Sequence, residues 1–114
     1  MDDCIFCKII RKDIPATIYY ENDKVIVIKD IHPVAPVHLL IISKEHIGSI
    51  EEITPANKDV LGEMAFAAQK MSKLLAICGD GYRLICNYGV NGGQTIPHLH
   101  FHMIGGRKLG SKIL

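Results

Sequence analysis

Three histidines stand at alternate positions in His98-Leu99-His100-Phe101-His102-Met103-Ile104. Alternation with a period of two is the pattern of a β-strand. Successive side chains point to opposite faces, so the three imidazoles share one face and Leu99, Phe101 and Met103 face the core. A rise of about 3.3 Å per residue sets neighbouring imidazoles ~7 Å apart and the outer two ~13 Å apart, so one metal ion cannot gather all three on an unbroken strand. A polar strand face or a two-histidine metal site would use the same residues. Neither calls for one titratable side chain repeated three times.

The remaining pattern is that of one domain spanning residues 1–114. Hydrophobic residues make up 48% and charged residues 22%, enough for a single packed core and too apolar for a disordered chain. Thirteen basic and twelve acidic side chains leave a net charge of +1, without the basic excess of a nucleic-acid or anionic-membrane binder. The start Met1-Asp2-Asp3-Cys4 is acidic where a secretory leader would be basic, and the longest apolar run, Val37 to Ile42, is too short to span a bilayer. A cytoplasmic protein is expected. Its four cysteines are then thiols or metal ligands, not disulfides.

Thr54 as N-cap and Pro55 at the first helical position open a long helix that runs to Ala76 and stops before Gly79-Asp80-Gly81. Val60, Leu61, Met64, Ala68, Met71, Leu74 and Leu75 form its apolar stripe. A shorter helix is predicted from Ile5 to Lys12, with Phe6, Ile9 and Ile10 inward. Strands are predicted at Ile18–Tyr20, Val25–Lys29, His38–Ile42, Tyr82–Asn87 and Leu99–Ile104. Glu21-Asn22-Asp23-Lys24 is the hairpin turn between the first two. Strands in meander order with one long helix inserted predict an antiparallel α+β sheet.

Ahead of the histidines lies Asn87-Tyr88-Gly89-Val90-Asn91-Gly92-Gly93-Gln94-Thr95. Its glycines allow backbone N–H groups to converge on an anion, and Asn, Gln and Thr add neutral donors. Most such loops only reverse a chain. Next to a histidine row, this one could hold a phosphate beside an imidazole, which near pH 7 is a competent nucleophile. Cys4-Ile5-Phe6-Cys7 offers two ligands of a tetrahedral zinc and needs two more. Cys78 and Cys86 are too far apart to form a second such pair, and Cys86 fits an ordinary strand position.

The segment Asn87 to Ile104 resembles the signature of the histidine triad (HIT) superfamily of nucleotide hydrolases and transferases. Phe6-Cys7-Lys8-Ile9-Ile10, Ile14-Pro15-Ala16, Asp30-Ile31-His32-Pro33, Ala35-Pro36-Val37-His38 and Gly105-Gly106-Arg107 are similar to segments of its histidine-triad nucleotide-binding (Hint-like, nucleoside phosphoramidase) branch. The resemblance covers almost the whole chain. It implies a HIT-like α+β fold: a five-stranded antiparallel sheet with one long and one short helix, two copies joining as a homodimer with a continuous sheet.

The same resemblance implies the roles. His100 would attack the α-phosphorus of a purine nucleoside 5′-phosphoramidate and become transiently nucleotidylated. His102 and Gln94 would contact phosphate oxygens, helped by Asn87 and the Gly93 backbone. Thr95 would lie near the leaving group, Asp30 would accept from both ribose hydroxyls, and Phe6, Ile9 and Ile31 would sandwich the base. His38 would support the triad strand from behind, and His32 is given no chemistry. Bacterial members that resemble the chain at Cys4 and Cys7 complete a structural zinc site with two histidines, here His46 and His98. No organic cofactor is implied, and no carboxylate cluster calls for magnesium.

Dinucleoside polyphosphate hydrolysis is the closest rival activity, and a nucleotide-binding regulatory protein with incidental turnover is the rival from another class. A nucleotide-sugar transferase is disfavoured because that branch has glutamine where this chain has His102. The chain also departs from its branch at the end. It has no tryptophan and finishes Ser111-Lys112-Ile113-Leu114, which leaves the leaving group open.

Overall fold

The computed structural model describes residues 3–113; Met1-Asp2 of the acidic start and Leu114 of the tail lie outside them. Its strands are β1 (Ile18–Glu21), β2 (Val25–Lys29), β3 (Val37–Ser43), β4 (Tyr82–Ile85) and β5 (His100–Gly105). They pair antiparallel in the order β1-β2-β3-β5-β4. Helix α1 (Ile5–Ile10) precedes the sheet, and α2 (Asp59–Leu74) follows β3 and a 3-10 turn at Ile50–Glu52. This is the five-stranded antiparallel α+β sheet that the strand pattern predicts. The meander, however, holds only through β3. The chain passes along α2 to the far edge to form β4, and β5 returns to the space between β3 and β4.

That return makes β5 a central strand, and its pairing with β3 decides what each face carries. Ile42 lies opposite His100, Leu40 opposite His102 and His38 opposite Ile104, so these residues share one face. Leu39 and Ile41 fall on the other face with Met103 and Phe101. The second face packs under α2 through Val60, Met64, Ala67, Ala68 and Met71. The histidine face packs against α1, where Phe6 and Ile9 meet Ile26, Ile28, Leu40 and Ile42. Strand β2 is therefore buried on both sides, which explains its unbroken run Val25-Ile26-Val27-Ile28. Each such side chain contributes roughly 1.5–3 kcal/mol by leaving water.

Four boundaries differ from the sequence reading by two residues or more, and others by one. Helix α2 stops at Leu74, well before the glycines, because Ala76 takes a left-handed φ of 58°. The Ile77 N–H then reaches the Ser72 carbonyl and the Ala76 N–H that of Lys73, an end normally built on glycine. Lys12, with φ 67°, ends α1 the same way, so that helix does not extend to Lys12. At the other end of α2, the Thr54 hydroxyl accepts from the Ala56 N–H and caps a preceding turn, and the regular helix begins at Asp59. In the sheet, β4 ends at Ile85, leaving Cys86 and Asn87 outside it, and β5 begins at His100.

A candidate phosphate-handling site beside a cysteine–histidine cluster

The histidine face opens into a cleft of about 440 Å³ between α1, the Asp30–His32 turn and the Asn87–Thr95 loop. His100, His102, Asp30, Ile31, Phe6, Ile9, Asn87, Gly93, Gln94 and Thr95 all line it, so one cavity gathers every substrate-contacting residue the resemblance implies. Ile31 is 84% exposed and stands at the rim. The sequence reading missed Ile5, Ile14, Pro15, Ala16, Ile28, Leu40 and His32, which also line the wall. A second depression of about 510 Å³, near the start of α2, is lined by Asp23, Glu45, Asp59 and Glu63 and contains no imidazole.

Hydrogen bonds to the main chain assign the imidazole tautomers. His100 Nδ1 lies 2.7 Å from the His98 carbonyl, which can only accept, so Nδ1 carries the proton and Nε2 keeps its lone pair. His98 Nε2 donates to the Ser43 carbonyl at 2.7 Å, which leaves its Nδ1 lone pair free. Burial pushes His100 and His102 below the ordinary 6.5, outweighing the nearby Asp30 charge, which acts the other way. Both rings therefore hold their free-base form at lower pH than an exposed histidine. The acid limb of kcat/KM should fall below pH 6.5, and a limb above it in a pH–rate profile would contradict this reading.

The loop differs from the anion cradle that its glycines suggest. The Gly93 and Gln94 N–H groups are engaged by the carbonyls of Val90 and Gly89. Gln94 Nε2 donates to the Gly48 and Ile96 carbonyls at 2.9 and 3.2 Å, and Asn87 Nδ2 donates to the Gly92 carbonyl at 2.7 Å. Gln94 and Asn87 thus brace the loop in this state. Either would have to release a partner to reach a phosphate.

His98 precedes β5, and its ring turns away from the cleft toward the start of α1. Cys4 Sγ lies 3.2 Å from His98 Nδ1, and Cys7 Sγ lies 3.2 Å from His46 Nδ1 and 3.6 Å from His98 Nδ1. The four ligand atoms lie within 4.8 Å of one another. Two sulfurs and two nitrogens around a tetrahedral zinc are separated by roughly 3.3–3.8 Å, so these residues fit the ion. The second nitrogen of His98 is already held by a carbonyl, the usual orienting partner of a ligating imidazole. The Phe6 ring stands edge-on to both His98 and His100, with centroids 5.7 and 5.0 Å away, and separates the cluster from the cleft.

Fold and site together define an α+β protein whose central strand presents free-base imidazoles to a nucleotide-sized cleft, tied at one end to a Cys2His2 cluster. Residues 3–112 match the family model described as scavenger mRNA decapping enzyme C-term binding. The chain is 42% identical to the purine nucleoside phosphoramidase of Escherichia coli K12, over 96% of this chain and 92% of that protein. It is also 42% identical to protein HitA of Neisseria gonorrhoeae, over 92% and 97%. The solved structure of a HIT family hydrolase from Clostridium thermocellum is 53% identical and superposes with a TM-score of 0.98, covering 100% of this chain and 99% of that one. The chain belongs to the histidine triad superfamily, in its Hint-like branch.

Proposed function

We propose that the protein is a nucleotide hydrolase that cleaves purine nucleoside 5′-phosphoramidates through a nucleotidyl-histidine intermediate. The observation that carries this is His100, whose Nδ1–H is fixed on the His98 carbonyl while Nε2 remains a free nucleophile at the cleft. In the first displacement Nε2 attacks the α-phosphorus, the P–N bond breaks, and the amine departs after taking up a proton. In the second, water attacks the phosphohistidine, releasing the nucleoside monophosphate and restoring the imidazole. His102 and the Thr95 hydroxyl line the same cleft and would donate to the developing charge. His38, buried behind them, holds His102. The apolar wall of Phe6, Ile9 and Ile31 suits a purine. A side-by-side assay of an adenosine phosphoramidate and a diadenosine polyphosphate tests the reading: the phosphoramidate should be the better substrate by kcat/KM, and the reverse order would assign the rival activity.

Asp30 is the ribose-reading group in this proposal. It closes the end of β2 beside Ile31, and its two oxygens can accept from a diol. Asp30→Asn should weaken binding of ribonucleotides by about 1–3 kcal/mol more than binding of their 2′,3′-dideoxy analogues. Calorimetry with both ligand sets checks this, and equal losses would remove the role.

Zinc at Cys4, Cys7, His46 and His98 would be structural, since four protein ligands leave no open position. It would tie α1 to the segment entering β5. The protein is further read as a cytoplasmic homodimer. No helix of the described residues is long and apolar enough to cross a membrane, and all four cysteines are free thiols. Strand β4 is a sheet edge with Tyr82 and Leu84 exposed, and α2 exposes Phe66 and Leu74. An open edge with apolar side chains favours pairing with a second copy.

A further inference from the structure

Asp30, His38 and His102 bring a carboxylate and two imidazoles within 4.8 Å, the spacing of a metal site. The tautomers argue against one. His38 is buried, and its Nδ1 accepts the backbone N–H of Val34 at 3.1 Å. A nitrogen that accepts cannot carry a proton, so the proton of the neutral ring is on Nε2. That Nε2 lies 2.9 Å from His102 Nδ1 and 3.4 Å from Asp30 Oδ2. It therefore donates to His102 Nδ1, with the Asp30 carboxylate nearby but not hydrogen-bonded to it, and it has no lone pair for a metal ion. His102 Nδ1 in turn accepts, which sets the His102 proton on its own Nε2.

The segment carrying that amide is itself held. Arg107 Nη2 donates to the Val34 carbonyl at 3.3 Å. Gly106, at φ +84°, packs so closely on the segment that a Cβ there would come within 2.9 Å of the Pro36 Cβ and 3.2 Å of the Val37 nitrogen. The Gly105-Gly106-Arg107 motif, to which the reaction assigns nothing, thus backs the chain from Val34 to Val37.

We infer that the Val34 backbone amide is a positioning group for the reaction: by fixing the His38 tautomer it makes His102 present an Nε2–H donor to the bound phosphate, and it keeps metal out of the Asp30–His38–His102 trio. The inference rests on the proposed phosphoramidate chemistry for its kinetic consequence but not for its tautomers, so the two are tested separately.

Long-range 15N–1H spectra of the resting protein at neutral pH read the tautomers directly. His38 and His102 should carry their protons on Nε2; a proton on His38 Nδ1 overturns the inference whatever the enzyme's substrate is. Val34→Pro removes the N–H from a residue whose side chain is exposed. It should lower kcat by about tenfold to a hundredfold, with little change in KM, as expected of a lost donor to developing charge. Because proline could disturb the turn, a double-mutant cycle with His38→Gln separates the effects. The carboxamide donates to His102 without needing the Val34 amide, so in that background Val34→Pro should cost far less; full additivity overturns the inference. In a zinc titration, Asp30→Asn should leave the number of bound ions unchanged. Loss of an ion would make the trio a metal site.

Discussion

His100→Ala should lower turnover of an adenosine phosphoramidate by about a thousandfold or more while leaving nucleotide affinity within a few-fold of the parent. The first half follows because neither of the other two triad imidazoles can take its place. His98 is turned to the cysteines, and the His102 Nδ1 is engaged by His38. The second half follows because the base and ribose walls lie on α1 and the Asp30 turn, and the substitution alters neither. The ring is buried and edge-on to Phe6, so its removal leaves a small cavity and costs some stability as well. Binding should therefore be measured on protein shown to be folded. Near-parent turnover would remove His100 as the nucleophile. A loss confined to KM would make it a binding group instead.

The triad was legible in the sequence because a period-two pattern in an apolar strand has one geometric solution, and β5 carries His100 and His102 on the face opposite Phe101 and Met103. The two helices were legible in kind but not in length. Their ends depend on Lys12 and Ala76 adopting left-handed φ, and no glycine marks those positions. The order of the last two strands was misread because an antiparallel pair can be reached from either side of β3, and only packing of α2 selects the edge. The cleft residues Asp30, Ile31 and Phe6 came from resemblance, since an aspartate in a turn and an isoleucine at a rim have no distinctive spacing. Gln94 shows the sharper limit. Its donors are taken by Gly48, 46 residues away, so its part in the resting loop is decided by a contact no local pattern encodes. The Val34 amide lies beyond sequence reading altogether, because every residue except proline supplies the same N–H.

Removal of the zinc proposed at Cys4, Cys7, His46 and His98 should cost a few kcal/mol of stability. The Cys7 thiol is pushed up by burial and by its hydrogen-bonded neighbour Cys4, so without a metal Cys7 stays protonated near neutral pH. A zinc ion would displace that proton, and its binding free energy would add to folding because the four ligands converge only in the folded chain. The ligands come from α1, from the segment after β3 and from the residue two before His100, so the ion closes a loop of more than ninety residues between Cys4 and His98. The sheet and the α2 core remain without it, so the metal-free chain should still fold, with α1 loosened. A loss of a few kcal/mol corresponds to a fall in Tm of about 10 °C or more for a domain of this size. Chelation and Cys4→Ser should each produce that fall. Elemental analysis of protein purified without added metal should find close to one zinc per chain. Turnover below the new Tm should survive in part, because His100 does not ligate the ion, and weaken to the extent that Phe6 and Ile9 no longer hold the base wall. Less than about a tenth of a zinc per chain, with melting unchanged by Cys4→Ser, would leave the four residues as thiols and imidazoles in mutual contact and nothing more.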